Sequence, residues 1–235
     1  MERYYYLILD LACLLIPFGF SFYPKYNFGA KWKLLIPAIG LPAIVFIVWD
    51  FIFTEIGVWG FNPRYVSGVH IGNLPIEEIL FFICIPYACI FTYNAVNFYQ
   101  NQDPLPDSGR RVTWVLIAGL FVVGFINYNR LYTSVTFISM ASFLLFHQLV
   151  VRSRYLGRFY FAYIFILIPF FVVNGILTGT GLPEPVVWYN NNENLGIRMM
   201  TIPFEDAFYG MLLILMNVTI FEFFQRKSTK EKIEV

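Results

Sequence analysis

Charged residues are scarce in this chain. They make up 13% of its 235 residues, and no lysine occurs between Lys33 and Lys227. A soluble domain usually carries about 25% charged residues. With 58% hydrophobic residues and a formal net charge of only +1, the composition predicts a membrane protein. The lack of a basic face argues against a nucleic-acid partner.

The chain also lacks the signatures of several cofactor sites. It has no glycine-rich dinucleotide pattern and no phosphate-binding loop, so no cofactor is evident. Its last apolar run, residues 202–224, has no lysine for the Schiff base of a retinal photoreceptor. His70 and His147 are far apart and predict no metal site, although a site built from carboxylates alone stays open. The three cysteines lie in apolar runs and form no Cys-x-x-Cys pair. We therefore expect each of them to act as a small, buried apolar side chain.

Seven apolar runs are long enough, or nearly so, to cross a bilayer, which takes about 20 residues. The first contains Asp10, has no small-residue cleavage site and precedes Lys25, so we interpret it as a retained helix and not as a signal peptide. The sequence therefore predicts an all-α polytopic membrane protein of seven transmembrane helices. The predicted helices are 4–22, 34–54, 76–96, 112–128, 131–150, 159–178 and 202–224.

Lysine and arginine residues are unequally divided between the two sides of this arrangement. Basic loops stay in the cytoplasm, so we expect the N-terminus outside and the C-terminus cytoplasmic, in a multi-pass protein of the cell (cytoplasmic) membrane. The cytoplasmic side holds Lys25, Lys31, Lys33, Arg110, Arg111, Arg152, Arg154, Arg158, Arg226, Lys227, Lys230 and Lys232. The other side holds only Arg3, Arg64, Arg130 and Arg198.

The strongest pattern is an internal repeat. Residues 68–78 align without a gap with residues 196–206, an offset of 128 positions. The shared positions are Gly68, Pro75, Glu77 and Glu78 in the first copy and Gly196, Pro203, Glu205 and Asp206 in the second. Further matches are Asn62 with Asn190, Trp59 with Trp188 after a slip of one residue, and Asp50 with Asn174.

The copies lie four helices apart and therefore share one orientation. This predicts a parallel 3+1+3 repeat with a pseudo-two-fold axis along the membrane normal. The predicted domains are a first three-helix repeat at 1–100, a connector loop and fourth helix at 101–130, a second three-helix repeat at 131–226 and a charged cytoplasmic tail at 227–235.

Each acidic pair follows a proline and is predicted to lie in the first turn of its helix, at the outer face. Carboxylates are favourable at a helix N-terminus, so capping alone is one interpretation. Two matched pairs favour a functional role, because acids in a membrane are costly. The candidate catalytic residues are Glu77, Glu78, Glu205 and Asp206. The candidate supporting residues are Pro75, Pro203, Asp50, Asn174, Trp59, Trp188, Asn62, Asn190, Arg64, His70 and Arg198.

Adjacent carboxylates near apolar surface favour different protonation states. One can donate a proton while the other accepts one or stabilises a cation. Aromatic residues near the pairs, among them Trp49, Trp59, Tyr189 and Tyr209, have faces that stabilise a carbocation. They also fit an interfacial aromatic belt or core packing.

The pattern resembles the membrane lycopene cyclases. These occur as heterodimers in some Gram-positive bacteria, as fused chains in archaea and Bacteroidetes, and as the cyclase half of fungal bifunctional cyclase–phytoene synthases. The resemblance is carried by the family's Pro-x-Glu-Glu/Gln/Asp motif, which reads Pro75-Ile76-Glu77-Glu78 and Pro203-Phe204-Glu205-Asp206 here.

The resemblance implies an enzyme that cyclises the ends of lycopene to β-rings by acid catalysis, without net redox change. One of the acidic pairs would protonate a terminal double bond and a base would remove a proton, with neither pair singled out. Asp50 and Asn174 would orient them. The implied partners are a linear carotene from the bilayer, membrane lipid and other carotenoid enzymes.

Two other functions fit the same features. A small proton-coupled transporter also suits a parallel repeat with interfacial acids, although acids at one face and not at mid-membrane argue against it. A carotenoid-binding membrane protein without turnover is the second alternative.

Overall fold

The computed structural model describes residues 2–100, 102–106, 108–153 and 155–233, with the backbone alone at 229–233. Arg154 and the side chains of Lys230 and Lys232, all counted on the basic side, lie outside the described residues. Residues 234–235 of the predicted tail lie outside them as well.

The described residues include seven helices that are long and apolar enough to cross a membrane, which confirms the predicted all-α polytopic class. Much of the outer surface is apolar: Leu15, Ile36 and Val115 are 68%, 75% and 72% exposed, as expected of side chains that face lipid. The helices are α1 Tyr5–Phe20, α2 Trp32–Glu55, α3 Ile76–Tyr99, α4 Ser108–Ile126, α5 Leu131–Phe146, α6 Leu156–Leu177 and α7 Asp206–Ile233.

Six short strands lie in the two long loops that follow α2 and α6. The antiparallel pair β1–β4 joins the two loops, with Gly60 opposite Trp188. The pairs β2–β3 and β5–β6 are local hairpins that lead into α3 and α7. The strands are β1 Trp59–Phe61, β2 His70–Ile71, β3 Leu74–Pro75, β4 Val187–Tyr189, β5 Arg198–Met199 and β6 Ile202–Pro203.

The two loops close on each other through reciprocal backbone hydrogen bonds at positions 128 residues apart. The N–H of Asn62 donates to the carbonyl of Val186, and the N–H of Asn190 donates to the carbonyl of Val58, both at 2.8 Å. Each loop thus supplies hydrogen-bond partners for backbone groups of the other. These bonds hold the two loops together at one end of the helix bundle.

The chain enters the hairpins before α3 and α7 through glycines of similar conformation. Gly68 and Gly196 have φ of +86° and +70°, a left-handed conformation that glycine adopts without steric cost. This explains why glycine occupies both positions. The hairpins then place the two acidic turns, residues 74–78 and 202–206, at the same end of the bundle.

The start of α7 departs from the sequence-based prediction. Ile202 and Pro203 are extended in β6, and α7 begins at Asp206. The carbonyl of Glu205 accepts the N–H of Tyr209 at 2.9 Å, so Glu205 precedes the first helical turn. Placement in the first turn is correct for Asp206 and wrong for Glu205. The helix continues to Ile233, through most of the predicted tail.

The helices α3 and α7, which follow the acidic turns, lie inside the bundle. The former packs against α1, α2 and α6, and the latter packs against α2, α3 and α5. Phe46 of α2, Phe159 of α6 and Leu215 of α7 are fully buried in the main apolar core. The connector helix α4 packs outside, on α5 and α6. The acidic turns are therefore held by buried helices, which limits their movement.

Candidate functional site

A cavity of about 340 Å³ lies between α1, α3, α6 and α7. At the loop end its wall carries the side chains of Asp50, Glu78 and Asp206. Along α3 the wall continues to Thr92, fourteen residues and roughly 21 Å of helix beyond Glu78. Most of that length is lined by apolar side chains such as Ile85. Acids at one end and hydrocarbon walls along the rest suit an elongated apolar ligand.

Glu78 and Asp206 are each held by a tyrosine from a neighbouring helix. Tyr6 of α1 donates its hydroxyl proton to Oε2 of Glu78 at 2.5 Å. Tyr132 of α5 donates to Oδ1 of Asp206 at 2.6 Å. Both carboxyl groups and both tyrosines are buried, so these bonds fix the acids in a site from which most water is excluded.

Asp206 receives two further hydrogen bonds, both on Oδ2. Tyr189 donates its hydroxyl proton at 3.0 Å and the side-chain amide of Asn174 donates at 3.3 Å. Within the part of the chain that the structure describes, Tyr6 donates to the Glu78 carboxyl group. The two acids that correspond in sequence therefore differ in their environment.

Glu77 and Glu205 bind the preceding loops and are not among the residues that line the cavity. The N–H of Ser67 donates to Oε1 of Glu77, and the N–H of Leu195 donates to Oε1 of Glu205, both at 2.7 Å. Thr133 adds a hydroxyl bond to the same oxygen of Glu205 at 2.6 Å. Within each pair, the first acid thus holds a loop and the second faces the cavity.

Asp50 lies on the cavity wall, and the two tryptophans near it have different roles. The indole N–H of Trp59 donates to Oδ1 of Asp50, and both residues are buried. Trp188 is 44% exposed and pairs with Gly60. The two matched tryptophans therefore lie in different environments, one buried against Asp50 and the other at the loop surface.

Four loop residues of the repeat shape the loops and do not line the cavity, namely Pro75, Pro203, Asn62 and Asn190, whereas Asn174 of α6 lines it. Pro75 ends β3 and Pro203 ends β6, each just before an acidic pair. Oδ1 of Asn62 and Oδ1 of Asn190 each accept the backbone N–H of the residue two positions later, at 3.0 and 3.1 Å. These contacts stabilise the turns that carry the acids.

The basic candidates also lie outside the cavity lining. Arg64 forms an exposed ion pair with Glu2 at 2.7 Å. His70 is exposed, and its Nδ1 lies 3.1 Å from the carbonyl oxygen two residues earlier. Arg198 donates to the carbonyl of Thr201 at 3.1 Å. The structure therefore assigns them to the loop surface.

Sequence reasoning missed Tyr6, Tyr132 and Asp10. The tyrosines occupy the second position of α1 and of α5, so extending the repeat search to these helices would have found them. Asp10 is 1% exposed, and neither carboxyl oxygen has a hydrogen-bond partner among the described residues. Its signal was an acidic residue inside an apolar run, which is costly in a membrane.

The loop tyrosine at the site remains a proton donor in alkaline solution. Burial raises the pKa of the Tyr189 hydroxyl, and the nearby charge of Asp206 raises it further. No group of three His, Cys, Asp or Glu side chains suited to a metal occurs within the part of the chain that the structure describes. The chemistry available from these residues is proton transfer by carboxyl groups.

Comparison with protein families shows which family the chain belongs to. The family model described as lycopene cyclase matches residues 3–96 and 129–224, which together cover most of the chain. The chain belongs to the lycopene cyclase family. The segment between the two matches contains α4, the predicted connector helix. Comparisons with curated proteins and with solved structures gave no match.

Membership of the lycopene cyclase family supports an enzyme of carotenoid cyclisation, and the seven apolar helices fit a multi-pass membrane protein. A lipophilic carotene in the membrane is the substrate that this family suggests. The specific likeness to the fungal fusion enzymes stays a prediction.

Proposed function

We propose that this protein is a lycopene β-cyclase, which closes β-rings at the ends of lycopene by acid catalysis without net redox change. The observation that carries this proposal is the placement of Glu78 and Asp206 at the polar end of an elongated apolar cavity. One end of a linear hydrocarbon fits such a cavity against the acids, with the adjoining part of the molecule along the apolar wall.

The proposed reaction begins with proton transfer from the Glu78 carboxyl group to the terminal double bond of the carotene. A neighbouring double bond attacks the resulting cation, and the new carbon–carbon bond closes a six-membered ring. Asp206 then removes a proton from the carbon beside the cation, which leaves the ring double bond. One proton enters and one leaves, so the product is an isomer of the substrate and the proton returns to Glu78 before the next cycle.

The different surroundings of the two acids support these roles. Three donors reach Asp206, and hydrogen bonds to a carboxylate stabilise its ionised form. Glu78 accepts one hydrogen bond, from Tyr6, so its ionised form is stabilised by fewer donors than that of Asp206. We therefore assign Glu78 as the proton donor and Asp206 as the base.

Aromatic rings surround the place where the cation would form. Trp59, Tyr132 and Tyr209 line the cavity, and the ring of Trp59 lies 5.1 Å from that of Tyr132 and 6.0 Å from that of Tyr209. Aromatic faces attract cations.

The basic residues support an orientation with the acidic turns outside and the C-terminus in the cytoplasm of a cell-membrane protein. The parallel 3+1+3 repeat is part of the same proposal. It is supported by backbone hydrogen bonds that recur 128 residues apart and by the two separate family matches.

Expression of the chain in cells that accumulate lycopene tests the function. We expect β-ring carotenes to replace lycopene, measured by chromatography of the pigments, while cells with Glu78→Gln keep lycopene at the same membrane abundance of protein. Unchanged lycopene with the wild-type protein present in the membrane would refute the proposal. Lycopene that copurifies without conversion would favour a binding protein instead.

A further inference from the structure

The cavity lies on one side of the bundle, although the residues around it have counterparts on the other side. Asp50 corresponds to Asn174 at an offset of 124 residues, and the acidic turns correspond at an offset of 128. Backbone bonds follow both offsets: Val58 donates to Phe53, and Val186 donates to Leu177, each at 2.9 Å. Positions on α2 and α3 can therefore be compared with positions on α6 and α7.

On the cavity side, the wall between α6 and α7 contains a glycine. Gly210 lines the cavity together with Tyr163, Phe170 and Val173. A Cβ atom added at Gly210 would lie 3.6 Å from Cε2 of Phe170 and 3.6 Å from the hydroxyl oxygen of Tyr163. A methyl group fits there in ordinary contact, whereas a larger side chain would extend into the cavity.

On the opposite side, the corresponding residues are aromatic and fill the space. The position of Gly210 is taken by Phe82, which is 1% exposed, and that of Val173 is taken by Trp49. The ring of Phe46 lies 6.1 Å from that of Phe82, 5.6 Å from that of Trp49 and 5.0 Å from that of Tyr209. These rings pack α2 directly against α7, where an equivalent cavity would otherwise lie.

We propose that each chain holds a single carotene site, which Gly210 keeps open and whose counterpart Phe82 closes. This inference rests on the proposed cyclase function. Since the acids lie at one end of the cavity that forms this site, the two ends of one carotene react in separate binding events. A carotene with one ring is then released and must rebind in the reverse direction before its second end can cyclise.

The test compares Gly210→Phe with Gly119→Phe, in purified protein supplied with lycopene. Gly119 lies on an exposed face of α4 with no atom within 4 Å of an added Cβ, so it controls for the substitution itself. We expect the wild type and Gly119→Phe to release a one-ring carotene before two-ring product forms. Gly210→Phe should lower formation of both products at least about tenfold by filling the cavity.

A second measurement keeps the inference testable if Gly210→Phe does not fold, as judged by gel filtration and thermal denaturation in detergent. The Glu78→Gln protein, incubated with lycopene, should bind one carotene per chain. Two bound carotenes per chain would overturn the inference. So would a folded Gly210→Phe protein that keeps its activity, or one that accumulates only one-ring product as if a second site remained.

These outcomes are separate from a failure of the proposed function. If the wild type leaves lycopene unchanged, the cyclase function itself is refuted. If the wild type cyclises lycopene and Gly210→Phe does so equally well, the cyclase function stands and the single site is refuted.

Discussion

The hydroxyl group of Tyr6 donates a hydrogen bond to Oε2 of Glu78 over 2.5 Å, between side chains that are 1% and 8% exposed. This bond links α1 to the acidic turn of α3. It orients the carboxyl group that we propose as the proton donor, so the tyrosine is a positioning residue.

Replacing Tyr6 with phenylalanine should therefore slow cyclisation without unfolding the protein. Loss of a hydrogen bond to an ionisable group costs about 1.5 kcal/mol, which corresponds to about a tenfold lower rate. The measurement is the rate of β-ring formation by purified protein at saturating and at low lycopene. Tyr128→Phe, at a 70% exposed position, is the matched control. A lower affinity for lycopene at an unchanged maximal rate would contradict the positioning role.

Glu77 and Glu78 should differ in what their substitution changes. Glu77→Gln keeps an acceptor oxygen for the N–H of Ser67 and should retain cyclisation. Glu78→Gln should lose it at unchanged thermal stability. The sequence made Glu77 a candidate catalytic residue, and its absence from the cavity lining changes that expectation. Inactive, folded Glu77→Gln protein would restore Glu77 as a catalytic candidate.

Glu77→Leu tests the loop-holding role of the first acid. It leaves the partly buried N–H of Ser67 without its acceptor, which costs about 1 kcal/mol. Thermal denaturation in detergent, followed by circular dichroism, should show a lower midpoint than for Glu77→Gln. Equal midpoints for the two variants would show that the contact does not stabilise the loop.

Asp50→Asn separates a positioning role from a direct proton transfer. Asn174 occupies the corresponding place in the second half, so a neutral amide fits that position. The amide oxygen of the variant can still accept the indole N–H of Trp59. We expect activity within about threefold of the wild type, because a satisfied buried contact is retained. A complete loss in folded protein would assign the acid to Asp50 and not to Glu78.

Tyr189 should ionise only in strongly alkaline solution. Its pKa is raised by burial and by the charge of Asp206, whereas a free tyrosine ionises near pH 10. Its stabilising bond should be fully present below about pH 10 and lost only as pH rises through the higher pKa of the folded state. Ultraviolet difference titration of wild type against Tyr189→Phe measures this. A phenolate signal from Tyr189 near pH 10 would contradict it.

Apolar length and charge placement determined the number of membrane helices from the sequence alone. A hydrophobic stretch of about 20 residues has few alternatives to a spanning helix. The motif at Pro75 and Pro203 likewise located both acidic turns, because the pattern is local and repeats. The sequence by itself also predicted the family, which the matched segments confirmed.

The tertiary structure decided which member of each acidic pair faces the cavity. Glu77 and Glu78 are adjacent and chemically alike, and only the helical rotation between them and the course of the preceding loop direct one to Ser67 and the other to Tyr6. The cavity beside Gly210 likewise depends on packing. Gly210 and Phe82 are far apart in sequence, and only the packed helices show that one leaves space and the other fills it. Local pattern fixes local structure, whereas the contents of a site depend on which distant side chains the packed helices bring together.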